Sequence, residues 1–283
     1  MLLSSGPDII TPHISDAHAI DYPCFRAGWV CELELPRWAP IHLGPITLDI
    51  SPTKHVVWLA IAAVLCMVTL ILAARGHRRH ASDGKAPKGF SNGIEAMVLY
   101  LRNEVIIPNV GAHGDGYVPF LLSLFFFILF ANLCGLIPYG STATGNISVT
   151  ATLAIITFIV IEVAGMRAQG AGYLNTVVYW PHDMPLVMKL PMTLIMTPVE
   201  IIGKFTKPFA LAIRLFANMT AGHVVLLALI GLIFTFGSYY VAAAPVAMAT
   251  AISMLELFVA FLQAFIFTLL AAVFIGQIRE GAH

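Results

Sequence analysis

The stretch PFALAIRLFANMTAGHVVLLALIGLIFTF, from Pro208 to Phe236, decides how the whole chain is read. Its apolar run is long enough to cross a bilayer, for which about 20 residues suffice. It carries one permanent charge, Arg214. A guanidinium near the middle of a spanning helix costs roughly 2.5–3.5 kcal/mol even on the insertion scale, and it cannot shed its proton. Snorkelling relieves that cost only near the interface, and Arg214 lies too deep for it unless the helix is strongly tilted. No carboxylate sits one turn away to neutralise it. The charge is therefore read as one kept for an ionic pathway.

Working outward, Glu200, Lys207 and Arg214 recur every seven residues, and Asn218 follows Arg214 by four. On a helix these positions form one slowly drifting polar stripe. His223 comes nine residues after Arg214, on the opposite face and ~13 Å further along. It is a second titratable group at another depth.

Composition bounds the rest. Of 283 residues, 59% are hydrophobic and 11% charged; mean hydropathy is +0.86. That excludes a soluble globular domain and indicates a polytopic membrane protein. Fifteen basic and fifteen acidic residues balance, which argues against nucleic acid as a partner. The four Cys have no metal-ligand spacing, so neither a metal nor a cofactor is expected. Cys66 and Cys134 fall in apolar runs and read as small buried hydrophobes. Cys24 and Cys31 are expected to pair on the external side. The first twenty residues lack an apolar core, so no signal peptide is expected.

In chain order, residues 1–54 are polar and Pro-rich, with CELEL and ITLDI as strand-like pieces. This is read as an external segment preceding a membrane domain over 55–283. The expected spans are 55–74, 117–137, 147–166, 192–236 and 245–277, with an amphipathic interfacial helix over 93–110 ended by Pro108. RGHRRH (Arg75 to His80) with Lys85 and Lys88 marks the inner side, so the N-terminus is outside and the C-terminus inside. Asn132 lies near the outer end of the second span, and Glu162 near the inner end of the third. The helical pattern from Met192 to Phe236 would run roughly 65 Å, twice the ~30 Å hydrocarbon thickness. It must be strongly tilted, bent at Pro198 and Pro208, and packed against protein. The last helix starts at Pro245, a good first helical residue.

A short connection makes the last two helices an antiparallel hairpin, in which residues at equal depth have numbers of constant sum. Arg214 with Gln263, and His223 with Glu256, fit one register. An Arg/Gln/Asn layer is thus expected at mid-depth and a His/Glu layer nearer the outside, with Glu200 and Glu162 on the inner side. Groups outside the Arg exchange protons with external water, and groups inside it with the cytoplasm. The fixed charge between them blocks a direct leak. Such a path needs a moving carboxylate from a partner, neutral in lipid and ionised beside Arg214.

These residues resemble a known family. PFALAIRLFANMTAGH followed by LQAFIFTLL is similar to the signature of subunit a of F-type rotary ATP synthases, as are NLCGLIP (Asn132 to Pro138) and PVEIIGKFTKP. The resemblance implies an all-α integral membrane protein of about five transmembrane helices; the expected location is a bacterial inner membrane, with an organellar energy-coupling membrane as the alternative. Its implied partners are the ring of c subunits, the peripheral-stalk b subunits and the remainder of the complex. It implies that Arg214 is the stator arginine with Asn218 and Gln263 beside it. Glu200 is then in the cytoplasmic half-channel, and Asn132, His223 and Glu256 line the external one. The Asp often found in the second-span motif is Gly135 here. No nucleotide-binding loop is present, so ATP chemistry is expected in partner subunits. The rival readings are a secondary ion-coupled transporter, which would show an internal repeat, and a haem-binding redox subunit, which would need facing His pairs.

Overall fold

A computed structural model describes residues 16–23, 30–39, 41–43, 46–49, 51–82, 89–111, 114–137, 140–173, 176, 186–236 and 239–280. His13, Cys24, Lys85, Lys88 and Pro138 lie outside them, as does the side chain of Cys31, and with these the expected disulfide. Among the described residues, five helices are long and apolar enough to cross a membrane. They are α1 (Lys54–Ser82), α3 (Val118–Gly135), α4 (Ile147–Gln169), α5 (Leu186–Phe236) and α6 (Tyr239–Glu280). The strand-like pieces near the N-terminus form two antiparallel hairpins, β1 (Ala19–Pro23) with β2 (Val30–Glu34) and β3 (Ile41–Leu43) with β4 (Ile46–Leu48).

Several boundaries differ from the sequence reading: α1 runs on to Ser82, α5 begins already at Leu186, and two others involve prolines. Helix α6 begins at Tyr239, so Pro245 lies inside it rather than at its start. Proline removes one backbone bond there, and the helix runs through it. Helix α2 (Phe90–Tyr100) does not stop at Pro108 either. It widens into a π-helical stretch, Leu101–Ile106, and resumes over Ile107–Val110. The Ile107 N–H reaches back five residues to the Arg102 carbonyl, a pitch that lets the chain pass Pro108. It ends at Gly111, whose φ of 79° suits a residue without Cβ.

The chain sorts into two compact units: residues 1–69, 127–146 and 216–263, and residues 70–126, 147–215 and 264–283. In lipid there is no hydrophobic driving force between helices, so close packing of small residues takes its place. In the first unit Ala62 of α1 meets Ala131 and Cys134 of α3, flanked by Trp58, Leu59 and Phe130. In the second, a Cβ on Gly276 of α6 would run into the Asn109 carbonyl, and one on Gly165 of α4 would come within 3.0 Å of Ile278 Cδ1. Arg279 closes that end, donating to the Val110 carbonyl at 2.8 Å over the Tyr117 ring.

The N-terminal hairpins are tied to α1 within the first unit. The Lys54 N–H donates to the Ala17 carbonyl at 2.9 Å, and Asp16 Oδ1 lies 2.7 Å from His55 Nδ1. Partial burial pushes the Asp16 carboxyl up, but the hydrogen bonds and charge of His55 outweigh it and hold the group below its ordinary 3.8. A depressed carboxyl stabilises the fold above its unfolded pKa, and that contribution is lost as pH falls through the folded value. The tether should therefore survive acidification to 3.8 and open only below it. Limited proteolysis between Glu32 and Arg37 reads this out. Asp16→Asn should be cleaved faster than wild type at pH 7; equal cleavage would show that the pair holds nothing.

Candidate proton-transfer sites

In the first unit, four pieces of chain converge on His223. Helix α5 presents the imidazole, half-buried, and α6 presents Glu256, whose Oε1 lies 3.5 Å from His223 Nδ1. The other ring nitrogen, Nε2, is 3.0 Å from the Gly135 carbonyl at the end of α3 and 2.9 Å from Thr142 Oγ1. A carbonyl only accepts, so Nε2 carries a proton and points it there. The nitrogen facing Glu256 is Nδ1.

Two glycines make room for this. A Cβ on Gly222, one residue before His223, would come within 3.0 Å of the Glu256 Cγ and Cδ and displace the carboxylate. A Cβ on Gly135 would lie 2.9 Å from the Thr142 Cα. Thr142 thus occupies the space beside Gly135, and Gly135 contributes its carbonyl to the site. Asn132, fully buried, is held by both ends of its amide. It donates to the Ala260 carbonyl at 3.2 Å and accepts from Thr144 at 2.7 Å. Thr220 reaches the same loop at the Gly145 carbonyl, 3.4 Å away. Gln263 is buried.

The second unit holds the other residues expected from the sequence. Glu200, Lys207 and Arg214 are exposed on α5, and so is Asn218 in the first unit; the polar stripe is a face the chain leaves uncovered. Arg214 edges a hollow of about 490 Å³ lined by Leu211, Leu270 and Phe274 together with Thr206 and Lys207. Glu162 and Glu200 share a smaller cavity of about 170 Å³ with Lys204, Lys207 and Gln277. Lys204 Nζ lies 3.2 Å from Glu162 Oε2 and 3.0 Å from the Tyr173 hydroxyl. Lys207 lies over the Phe274 ring with Gln277 Oε1 at 3.5 Å. Arg214 belongs to the second unit and Gln263 to the first.

Sequence reasoning passed over Lys204, Thr142 and Thr144. Lys204 stands four residues after Glu200, a spacing that puts both on one face, but Glu162 is 42 residues away and only the fold brings it there. The threonines carried a weaker signal, the uncharged polar run STATGN between two spans.

A family model described as the ATP synthase A chain matches residues 56–276. This chain belongs to the ATP synthase A chain family. The subunit a of Anaeromyxobacter dehalogenans strain 2CP-C is 44% identical over 274 residues, covering 95% of this chain and 69% of that one. The corresponding protein of Chloroherpeton thalassium is 46% identical over 94% of this chain and 74% of its own. The "ATP synthase subunit a 2" of Chlorobaculum tepidum is 46% identical over 95% and 72%. With the five apolar helices, this makes the chain an all-α integral membrane protein of the ATP synthase. Among the described residues no cluster of His, Cys, Asp or Glu has the arrangement of a metal site.

The ATP synthase A chain geometry sets one test. Gly222→Ala alters no titratable group, yet should slow ATP-driven proton pumping of the assembled complex by on the order of tenfold, because it misplaces Glu256 against His223. Gly231→Ala on the same helix, where an added Cβ meets nothing within 4 Å, is the control and should pump normally. Equal rates in both variants would mean that the His223–Glu256 contact does not serve transport.

Proposed function

We propose that this chain is the stator subunit through which protons reach and leave the carboxylates of a rotating ring of c subunits. The observation that carries the reading is the permanent charge of Arg214, exposed on α5 and flanked along that helix by two separate titratable clusters. Protons enter from outside through Asn132, His223 and Glu256 and leave to the cytoplasm through the cavity of Glu200, with Glu162 on its wall. The chain lies in a bacterial inner membrane with its N-terminus outside, on the strength of the basic run ending α1 and of Arg167, Lys189 and Arg279 at the other inner ends. Peripheral-stalk b subunits hold it against rotation.

The chemistry follows from what a carboxylate prefers. In lipid it is neutral, because an isolated charge there is unfavourable. Beside a guanidinium the ionised form is favoured. A rotor carboxyl approaching Arg214 therefore gives its proton to the inner cavity and passes the arginine as an anion. It takes a new proton from the His223–Glu256 relay before it re-enters lipid. Arg214 also repels protons moving directly between the two clusters.

Arg214→Ala should abolish ATP synthesis by the reconstituted complex while the ring still co-purifies. Arg214→Lys should fail or nearly fail as well, because an ammonium is more strongly hydrated and sheds its proton when desolvated. Proton-driven synthesis retained in either variant would overturn the assignment.

A further inference from the structure

The inner cavity holds two carboxylates, but the structure treats them differently. Glu162 is largely buried and paired to Lys204 at 3.2 Å. Lys204 is held in turn by the Tyr173 hydroxyl at 3.0 Å, by Thr176 Oγ1 at 3.4 Å and by the Tyr173 ring 4.4 Å beneath its ammonium. Glu200 is exposed and, among the described residues, has neither ion pair nor hydrogen bond. Lys207 lines the same cavity and leans on Phe274 and Gln277.

We propose that Lys204 is a positioning residue of proton exit, which locks Glu162 as a permanent counter-ion and leaves Glu200 as the cavity's exchanging acid. The inference rests on the reading of this cavity as the inner half-channel. Its physical basis is that the Glu162 carboxylate is engaged by a fixed ammonium at ion-pair distance, whereas the Glu200 carboxyl on the same cavity wall is open to water. The pair also keeps the charge count of the cavity balanced: Glu162 and Glu200 against Lys204 and Lys207. Removing either partner changes by one unit the charge that Glu200 senses, with opposite signs.

That sign difference is the test. ATP-driven pumping by the complete complex in proteoliposomes is measured against the pH of the side from which protons enter the inner cavity. Lys204→Met leaves an extra negative charge, so proton uptake should persist to higher pH, moving the alkaline limb by about one pH unit. Glu162→Gln leaves an extra positive charge and should move that limb by a similar amount toward acid. The double variant, Lys204→Met with Glu162→Gln, restores the balance and should return the profile to that of wild type; Lys204→Arg should not move it. If Lys204→Met fails to assemble, the double variant carries the test through its rate. A double variant that assembles yet does not pump overturns the proposal, because Glu162 would then be a proton carrier itself. Profiles that do not move with the charge overturn it equally. Glu200→Gln separates the two levels of the argument: normal pumping there overturns the half-channel reading and this inference with it, whereas loss of pumping leaves the Lys204 outcome to be judged alone.

Discussion

A permanent positive charge on a membrane-spanning helix is the constraint on which the rest of this molecule depends. Arg214 cannot be neutralised by proton loss, and the chain places no carboxylate within a turn of it. It is left exposed on α5, with Leu211, Leu270 and Phe274 beside it. We propose that an anion carried by a moving partner visits it, a reading that the length of α5, the apolar exposed surface along it and the partition of titratable groups into two clusters support.

The remaining polar groups are handled in the way lipid demands. Hydroxyls on the spanning helices turn back to the carbonyl one turn before them: Thr152 to Ser148, Thr157 to Leu153, Thr206 to Ile202, Thr250 to Val246 and Ser253 to Ala249. Such bonds satisfy the side chain without any partner helix. Among the described residues, groups bonded across elements include Asn132, Thr142, Thr144, Thr220, His223 and Glu256 in the first unit and Glu162, Tyr173, Lys204 and Lys207 in the second, the clusters proposed for transport. Others, such as Asp16 with His55, His77 with Glu95 and Arg279 with the Val110 carbonyl, tie the remaining parts of each unit together.

Much of this was legible in the chain because the bilayer simplifies the code. Apolar runs of fixed length mark the helices, and Arg214 stands out by cost alone. The antiparallel register placed His223 opposite Glu256, and their ring nitrogen and carboxylate oxygen lie 3.5 Å apart. What could not be read depends on long-range closure. The bond from Gly135 to His223 spans 88 residues and uses a backbone carbonyl, which has no letter in the sequence. The Lys204–Glu162 pair joins two helices whose relative rotation no periodicity specifies. Pro245 reads as a helix start, but α6 begins at Tyr239 and runs through it. Gly135 looked like a lost Asp; in the fold it is the room into which Thr142 inserts.

The central claim is that Arg214 separates two proton paths that would otherwise communicate. Passive proton flux through the complex in proteoliposomes, with the rotor chemically immobilised and a potential imposed, measures this without reference to ATP. Wild type should be tight. Arg214→Ala should conduct protons with the rotor still, because the barrier between the His223–Glu256 relay and the Glu200 cavity has lost its charge. Membranes containing Arg214→Ala that remain as tight as wild type would contradict the account.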